Sequence, residues 1–241
     1  LPDFNPNKRI NITDVNFINR VTKGTYELGS VFKTFTFASA LNEKLIDPGT
    51  EFLDLPKSLK CDRYKIAEYD KEIPSDLTAE QILIRSGNIG SVRMAQMVGS
   101  AKFKSFLENI GVLSQIEFDF EEVALQKNYD FGKCRLATAS FGHGVATTIL
   151  QLAKGYAILS NGGYEIKPTL ILNEKQKSKN KKRILNEGIS KQVVRALRKI
   201  VNTEEGTAKF ADVQNYEISG KTGTADQPKE GGYSQAKINT F

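Results

Sequence analysis

The chain has 241 residues, 39% hydrophobic and 26% charged, which suits one generous globular domain with a sizeable core. It holds no apolar run of about 18 residues and no basic-then-apolar leader, so no membrane-spanning helix and no export signal are read from it. The net charge of +6 mildly favours anionic partners, but it is concentrated in Glu174–Arg183, a lysine-rich run without aromatics that reads as a solvated loop, and no nucleic-acid-binding module is present.

In chain order, the opening Pro2-Asp3-Phe4-Asn5-Pro6 reads as the exit from a strand. A helix is predicted over 30–43, stopped by the turn signal Asp47-Pro48-Gly49. Residues 50–77 are polar and irregular, with Pro56 and Pro74 barring a long element. Thr78 with Gln81 forms a capping-box pattern that opens a short helix. Asn88–Val98 and 101–110 follow as helices, the second capped by Ser100 and ended by Gly111. Thr148 caps Ile149–Ser160, which Asn161-Gly162-Gly163 terminates, and 190–202 carries Val193, Val194, Leu197, Ile200 and Val201 at helical spacing. Tyr216–Ser219 leading into Gly220–Ala225 is the best strand signal, with a partner strand over Ala236–Phe241 across a turn-rich Asp226–Gly232. One hairpin cannot cover so many amphipathic helices. The chain is therefore expected to be a fragment trimmed at both ends that does not fold stably as cut.

Composition limits the chemistry. Cys61 and Cys134 leave a long-range disulfide and two free thiols both open, and together with His143 they offer no zinc-ligand spacing. A Ser-His-Asp triad would depend on His143, which lies in the glycine-flanked turn Phe141-Gly142-His143-Gly144 and reads as structural. Gly220-Lys221-Thr222 superficially suggests a phosphate-binding loop, but Asn215 stands where the required glycine would be.

The helix at 30–43 holds an anomaly. Ser30 and Lys33 lie three residues apart and so share one face, while Val31, Phe32, Phe35, Phe37, Ala38 and Leu41 occupy nearly every other azimuth. An ammonium enclosed there would be desolvated and its pKa lowered, making it a base able to take a proton from the neighbouring hydroxyl without a histidine. Gly29 permits a tight approach that places Ser30 at a helix N-terminus, where free N–H groups favour developing negative charge. An isolated S-x-x-K pattern is common. Here, however, Ser86-Gly87-Asn88 falls between two helices and Lys221-Thr222-Gly223 follows the best strand signal, and S-x-x-K, S-D-N and K-T-G occur together in penicillin-binding proteins and class A β-lactamases.

On these motifs the chain resembles the transpeptidase domain of a class B penicillin-binding protein, most closely the division-specific subgroup. Pro2–Asn7, Tyr26-Glu27-Leu28-Gly29-Ser30, Ser86-Gly87-Asn88-Ile89-Gly90, Phe141–Gly144, Asn161-Gly162-Gly163, Gly206-Thr207-Ala208 and Gly220–Ala225 carry the resemblance along the whole chain. Leu28, Gly87 and His143 depart from the usual proline, serine and tyrosine without removing a functional group. The resemblance implies an α+β fold of the penicillin-binding/serine β-lactamase type, with helices packed on an antiparallel sheet that is incomplete in this fragment, and an inserted all-helical subdomain. It implies a single transpeptidase domain over 1–241, of which about 45–160 is the mostly helical part.

The resemblance further implies peptidoglycan D,D-transpeptidation. Ser30 would attack the penultimate D-Ala carbonyl of a D-Ala-D-Ala stem peptide, Lys33 would accept its proton, and Ser86 would relay a proton to the leaving amine. Asn88 would hydrogen-bond substrate or Lys33; Lys221 and Thr222 would favour the terminal carboxylate, with Thr224 a further hydroxyl contact. Gly223 would let the peptide lie along the strand. The N–H groups of Ser30 and Thr224 would form the oxyanion hole, where one donor is typically worth about 3 kcal/mol. No cofactor or metal is implied. The partners implied are stem peptides, β-lactams and membrane proteins of division or elongation, and the location is the outer face of the cytoplasmic membrane, anchored upstream of Leu1. The alternatives are a serine β-lactamase, for which Glu122-Val123-Ala124-Leu125-Gln126 resembles a deacylation loop, a D,D-carboxypeptidase, and a β-lactam sensor that acylates without transfer.

Overall fold

The computed structural model describes residues 5, 7–8, 11, 14, 17–62, 64–119, 129–171, 182–229 and 232–241. Most of the opening segment, most of the lysine-rich run and Glu122–Gln126 lie outside these residues. Among the described residues the elements run β1 (Thr25–Tyr26), a 3-10 turn (Gly29–Val31), α1 (Phe32–Asn42), β2 (Glu51–Phe52), β3 (Ser58–Cys61), β4 (Tyr64–Ala67), β5 (Leu77–Thr78), α2 (Ala79–Ile84), α3 (Asn88–Val98) and α4 (Ser100–Asn109). They continue with α5 (Lys133–Ala139), β6 (Thr147–Thr148), α6 (Ile149–Ser160), α7 (Glu187–Asn202), β7 (Gly223–Lys229) and β8 (Gly232–Thr240). The class is α+β, with helices around α1 and short antiparallel ladders pairing β1 with β6, β2 with β5, β3 with β4 and β7 with β8. Among the described residues no helix is long and apolar enough to cross a membrane.

The axis of the molecule is α1. Every residue from Phe32 to Leu41 is buried, and Phe32, Phe35 and Phe37 have no exposed surface. Each ring contributes about 1.5–3 kcal/mol by leaving water, so packing holds this helix firmly enough to keep Lys33 inside with it. Helices α2, α3, α4 and α7 surround it. Two side chains fix its first turn: the Tyr156 hydroxyl of α6 donates to the Val31 carbonyl at 2.9 Å and bonds Thr34 Oγ1 at 2.9 Å, while Thr36 donates to the Ser140 carbonyl at 2.7 Å. Burial raises the Tyr156 pKa, so the phenol remains a donor.

The capping boxes at Thr78 and Thr148 form with both reciprocal bonds to Gln81 and Gln151. Ser100 is the first residue of α4, not its cap; Gly99 precedes it at φ 81 and no side chain caps that end. Gly111, at φ 82, follows α4 as expected. The segment 50–77 contains a hairpin the sequence reading had left irregular: Leu59 faces Ile66 and Lys60 faces Lys65, with Asp62 turning the chain at φ 52. Alternation of apolar and charged residues was its signal. Helix α5 also escaped prediction, being seven residues long and lacking a side-chain cap.

The predicted strand at Tyr216–Ser219 is displaced. Pairing begins at Gly223 opposite Thr240, so no residue of β8 lies across from 216–219, and β7 runs on through Lys229 with a register irregularity between Asp226 and Pro228. Such an irregularity is one of the few places where a strand tolerates proline. Cys61 of β3 and Cys134 of α5 form a disulfide with Cα atoms 5.6 Å apart, which selects one of the two states left open by the sequence. It ties the hairpin to the helical body.

Candidate active site

Three chain segments meet at a cleft of about 740 Å³ whose walls include Ser30, Lys33, Ser86, Asn88, Thr207, Thr222, Gly223 and Thr224. The first segment is the turn into α1. Gly29 has φ +62 and is pressed between two backbones: a Cβ there would lie 2.6 Å from the Thr224 carbonyl oxygen, and one on Gly142 would lie 2.1 Å from the Gly29 carbonyl oxygen. No side chain fits on either face, and the close packing fixes where Ser30 emerges.

Lys33 is 1% exposed. Its Nζ lies 3.0 Å from Ser30 Oγ, 3.1 Å from Ser86 Oγ and 2.5 Å from the Ser86 carbonyl oxygen. Burial is the main force holding its pKa well below the ordinary lysine range; the nearby Lys221 charge pushes the same way, and Glu68 opposes both. Lys221, also 1% exposed, donates to Ser86 Oγ at 2.8 Å and to the Thr222 carbonyl at 2.9 Å. Desolvation brings its pKa down to about 7. Ser86 thus stands between two buried amines, and it does so at φ 59, a left-handed conformation that costs a non-glycine residue about 1–2 kcal/mol.

The remaining predicted residues are in the cleft, and two of them have protein partners there. The Asn88 side-chain amide donates to the Ala67 carbonyl of β4 at 2.8 Å rather than to Lys33. The Thr222 hydroxyl pairs with Thr207 Oγ1 at 2.8 Å, so it reaches the cleft as half of a hydroxyl couple. Thr224, exposed on β7, bonds Asn239 Oδ1 at 3.3 Å. Gly223 is needed because a Cβ would lie 2.6 Å from the Leu28 carbonyl oxygen and 2.2 Å from Thr240 Oγ1.

Several participants had no role assigned from sequence. Thr207, in Gly206-Thr207-Ala208, lines the cleft and bonds Thr222, a role that no local pattern signals. Glu68 accepts from the backbone N–H groups of Asn88 at 2.6 Å and Ile89 at 2.8 Å. Glu27 accepts from the Gly144 N–H at 2.9 Å and the Tyr233 hydroxyl at 3.1 Å, and lies 3.8 Å from His143 Nδ1. His143 stacks beside Tyr233 with ring centres 4.5 Å apart, so its turn is fixed by aromatic packing at the cleft wall. Pairwise spacing in sequence carries no trace of such contacts, which join residues from 15 to more than 200 positions apart. Among the described residues no cluster of His, Cys, Asp and Glu suited to a metal is present.

A hydroxyl, a desolvated amine and a second hydroxyl converging without an imidazole are the groups a lysine-dependent serine acyltransferase requires. The chain belongs to the penicillin binding protein transpeptidase domain family, whose model matches residues 1–241. It is 29% identical over 231 residues to a probable peptidoglycan D,D-transpeptidase FtsI of Caulobacter vibrioides, covering 94% of this chain and 38% of that protein. It is 30% identical over 248 residues to a probable peptidoglycan D,D-transpeptidase PenA of Neisseria flavescens, covering 100% and 59%, and 28% identical to the stage V sporulation protein D of Bacillus subtilis, covering 96% and 38%. The chain therefore spans about two fifths to three fifths of the length of these relatives. Its fold superposes on the transpeptidase domain of Burkholderia pseudomallei penicillin-binding protein 3 with a TM-score of 0.81 at 24% identity, covering 90% of this chain and 66% of that one.

Proposed function

We propose that this protein is a serine-type peptidoglycan D,D-transpeptidase that cross-links stem peptides through an acyl-enzyme on Ser30. The observation that carries the reading is Lys33: an amine whose pKa burial holds well below the ordinary lysine range, within hydrogen-bond reach of both the Ser30 and Ser86 hydroxyls. As a neutral amine it offers two N–H donors, which the Ser86 carbonyl and Oγ accept, and one lone pair, which faces the Ser30 O–H. Ser30 attacks the penultimate D-Ala carbonyl, its proton passing to Lys33, and the developing oxyanion is held by the N–H groups of Ser30 and Thr224. Ser86 Oγ accepts from both amines, which leaves its own O–H free to protonate the departing D-Ala nitrogen. Its proton is replaced from Lys33 or Lys221.

The substrate's terminal carboxylate is held by the Thr207–Thr222 hydroxyl couple, with the Lys221 charge behind it, and Thr224 offers a further donor at the exposed face of β7. A second stem's amine then takes the acyl group and Ser30 recovers its proton. β-Lactams imitate the D-Ala-D-Ala end and stop at the acyl-enzyme. Because peptidoglycan lies outside the cytoplasmic membrane, the catalytic domain belongs on that face, anchored by its parent chain beside division or elongation proteins. The disulfide between Cys61 and Cys134 agrees with an oxidising compartment.

The test is to label the full-length parent with a fluorescent penicillin and repeat with Ser30→Ala. Wild-type protein takes one label and the variant none; a variant that still labels removes Ser30 from the role. Transfer of the acyl group to an added D-amino acid separates a transpeptidase from a sensor that only acylates.

A further inference from the structure

Helix α3 begins at Asn88 without any local means of satisfying its first turn. Its N-cap is Gly87, which has no side chain to offer, and no acidic residue lies in that turn. The first N–H groups of a helix have no partner within it, and leaving them buried and unpaired is unfavourable. The chain supplies the partner from another element: Glu68, just past the end of β4, accepts from the Asn88 N–H at 2.6 Å with Oε2 and from the Ile89 N–H at 2.8 Å with Oε1. The residue before it, Ala67, accepts the Asn88 side-chain amide at 2.8 Å. Two consecutive residues, Ala67 and Glu68, therefore hold the start of α3 through three hydrogen bonds, two to Asn88 and one to Ile89.

What this grip steadies lies two residues earlier. Ser86 is held at φ 59 between the last turn of α2, where its own N–H donates to Leu83 O at 3.2 Å and the Gly87 N–H to Ile82 O at 2.8 Å, and the first turn of α3. On the C-terminal side of this strained residue, the fixed α3 N-terminus acts together with the Gly87 N–H bond to Ile82 O in opposing its relaxation. Relaxation would carry away both the carbonyl and the hydroxyl that Lys33 contacts. The hairpin has an anchor of its own, the disulfide from Cys61 to α5, and β4 packs on α3.

We propose that Glu68 is a positioning residue of the active site: its carboxylate pins the start of α3 so that Ser86 presents its hydroxyl and carbonyl to Lys33. The inference rests on the acyl-enzyme reading of the site. The groups whose charge bears on Lys33 are Lys221, which disfavours its protonation, and Glu68, which favours it. A side chain serving only as a helix cap would affect stability and leave the pH response of acylation untouched, whereas Glu68 alters both.

The experiment measures the second-order rate of acylation by a fluorescent penicillin between pH 5 and 9 for the full-length parent, Glu68→Gln and Glu68→Ala, with melting curves to confirm folding. Glu68→Gln keeps the shape and one acceptor but no charge; its rate is expected to fall about 10- to 100-fold, the range typical of groups that orient others in a site. The acidic limb of its profile, where the rate drops as Lys33 gains a proton, moves to lower pH because the anion favouring the protonated form is gone. An unchanged rate in Glu68→Ala overturns the proposal, and so does a lowered rate in Glu68→Gln with an unmoved limb. If the wild-type parent takes no label at all, the acyl-enzyme reading itself fails. Hydrogen exchange at the Asn88 and Ile89 amides then still reports on the grip: protected in wild type, fast in Glu68→Ala, and equal in both if Glu68 does not hold them.

Discussion

Gly142→Ala is expected to slow penicillin acylation sharply although Gly142 is not among the residues that line the cleft. A Cβ on Gly142 would sit 2.1 Å from the Gly29 carbonyl oxygen, whereas real Cβ contacts essentially never fall below 3.0 Å, so one backbone has to retreat by about 0.9 Å. Gly29 has little room to retreat into, because the Thr224 carbonyl occupies its other face. The displacement is passed to Ser30, the next residue. A misplacement of about 1 Å at a reacting centre is worth on the order of a hundredfold in rate. Gly144→Ala is the matched control. It also lies at positive φ, +74, and incurs the same left-handed penalty of about 1–2 kcal/mol, but the nearest atom to its Cβ is Thr138 Oγ1 at an ordinary 3.6 Å. Gly144→Ala should lose only that left-handed penalty and Gly142→Ala more, because it adds the clash, both read by denaturant melts of the parent protein, while only Gly142→Ala loses about two orders of magnitude in penicillin acylation. Acylation by Gly142→Ala within about threefold of wild type, or an equal loss in Gly144→Ala, would refute the claim that backbone contact at Gly29 sets the nucleophile.

Two further outcomes are expected. Lys221 has its pKa lowered from 10.5 to about 7 in the folded state, so between those values the unfolded chain binds more protons and stability rises with pH; at about 1.4 kcal/mol per pH unit the folded protein gains about 3 kcal/mol between pH 7 and 9.5 through this residue, and Lys221→Met, measured by denaturant melts at both pH values, should lose most of that gain. The Cys61–Cys134 bond closes a loop of 73 residues and is worth up to about 4 kcal/mol, so reduction should lower the melting temperature, and alkylation of the unreduced protein should add no mass at either cysteine.

The chemistry was more legible in the sequence than the framework that aims it. Ser30, Lys33, Ser86 and Lys221 announce themselves by residue type and local pattern, since an apolar helix with one lysine a turn after a serine is a conspicuous conflict with ordinary burial. Helices with strong local grammar were equally readable: the Thr78–Gln81 and Thr148–Gln151 boxes both formed. What failed were elements whose definition depends on a distant partner. The start of β7 and the Asn88–Ala67 bond are settled by what lies across from them, and no short window of sequence contains that information; the β3–β4 hairpin is local, and its weak alternation carried the signal. Glu68 is the clearest case, because read alone it is a surface glutamate after a polar strand.

Putting two lysines on one serine looks unfavourable until the charges are counted. Lys33 and Lys221 both contact Ser86 Oγ, both are about 99% removed from solvent, and among the described residues Glu68 is the carboxylate that weighs on Lys33. A charge on either amine opposes a charge on the other, and burial opposes both, so the favoured state holds at most one ammonium between them. That state suits a reaction that needs a base and an acid in turn around a single hydroxyl. It is not held together by ionic attraction. The fully buried rings of Phe32, Phe35 and Phe37, the Tyr156 bond to Val31 and the backbone contact between Gly29 and Gly142 hold the site's geometry against the electrostatic preference of its own amines to reach water.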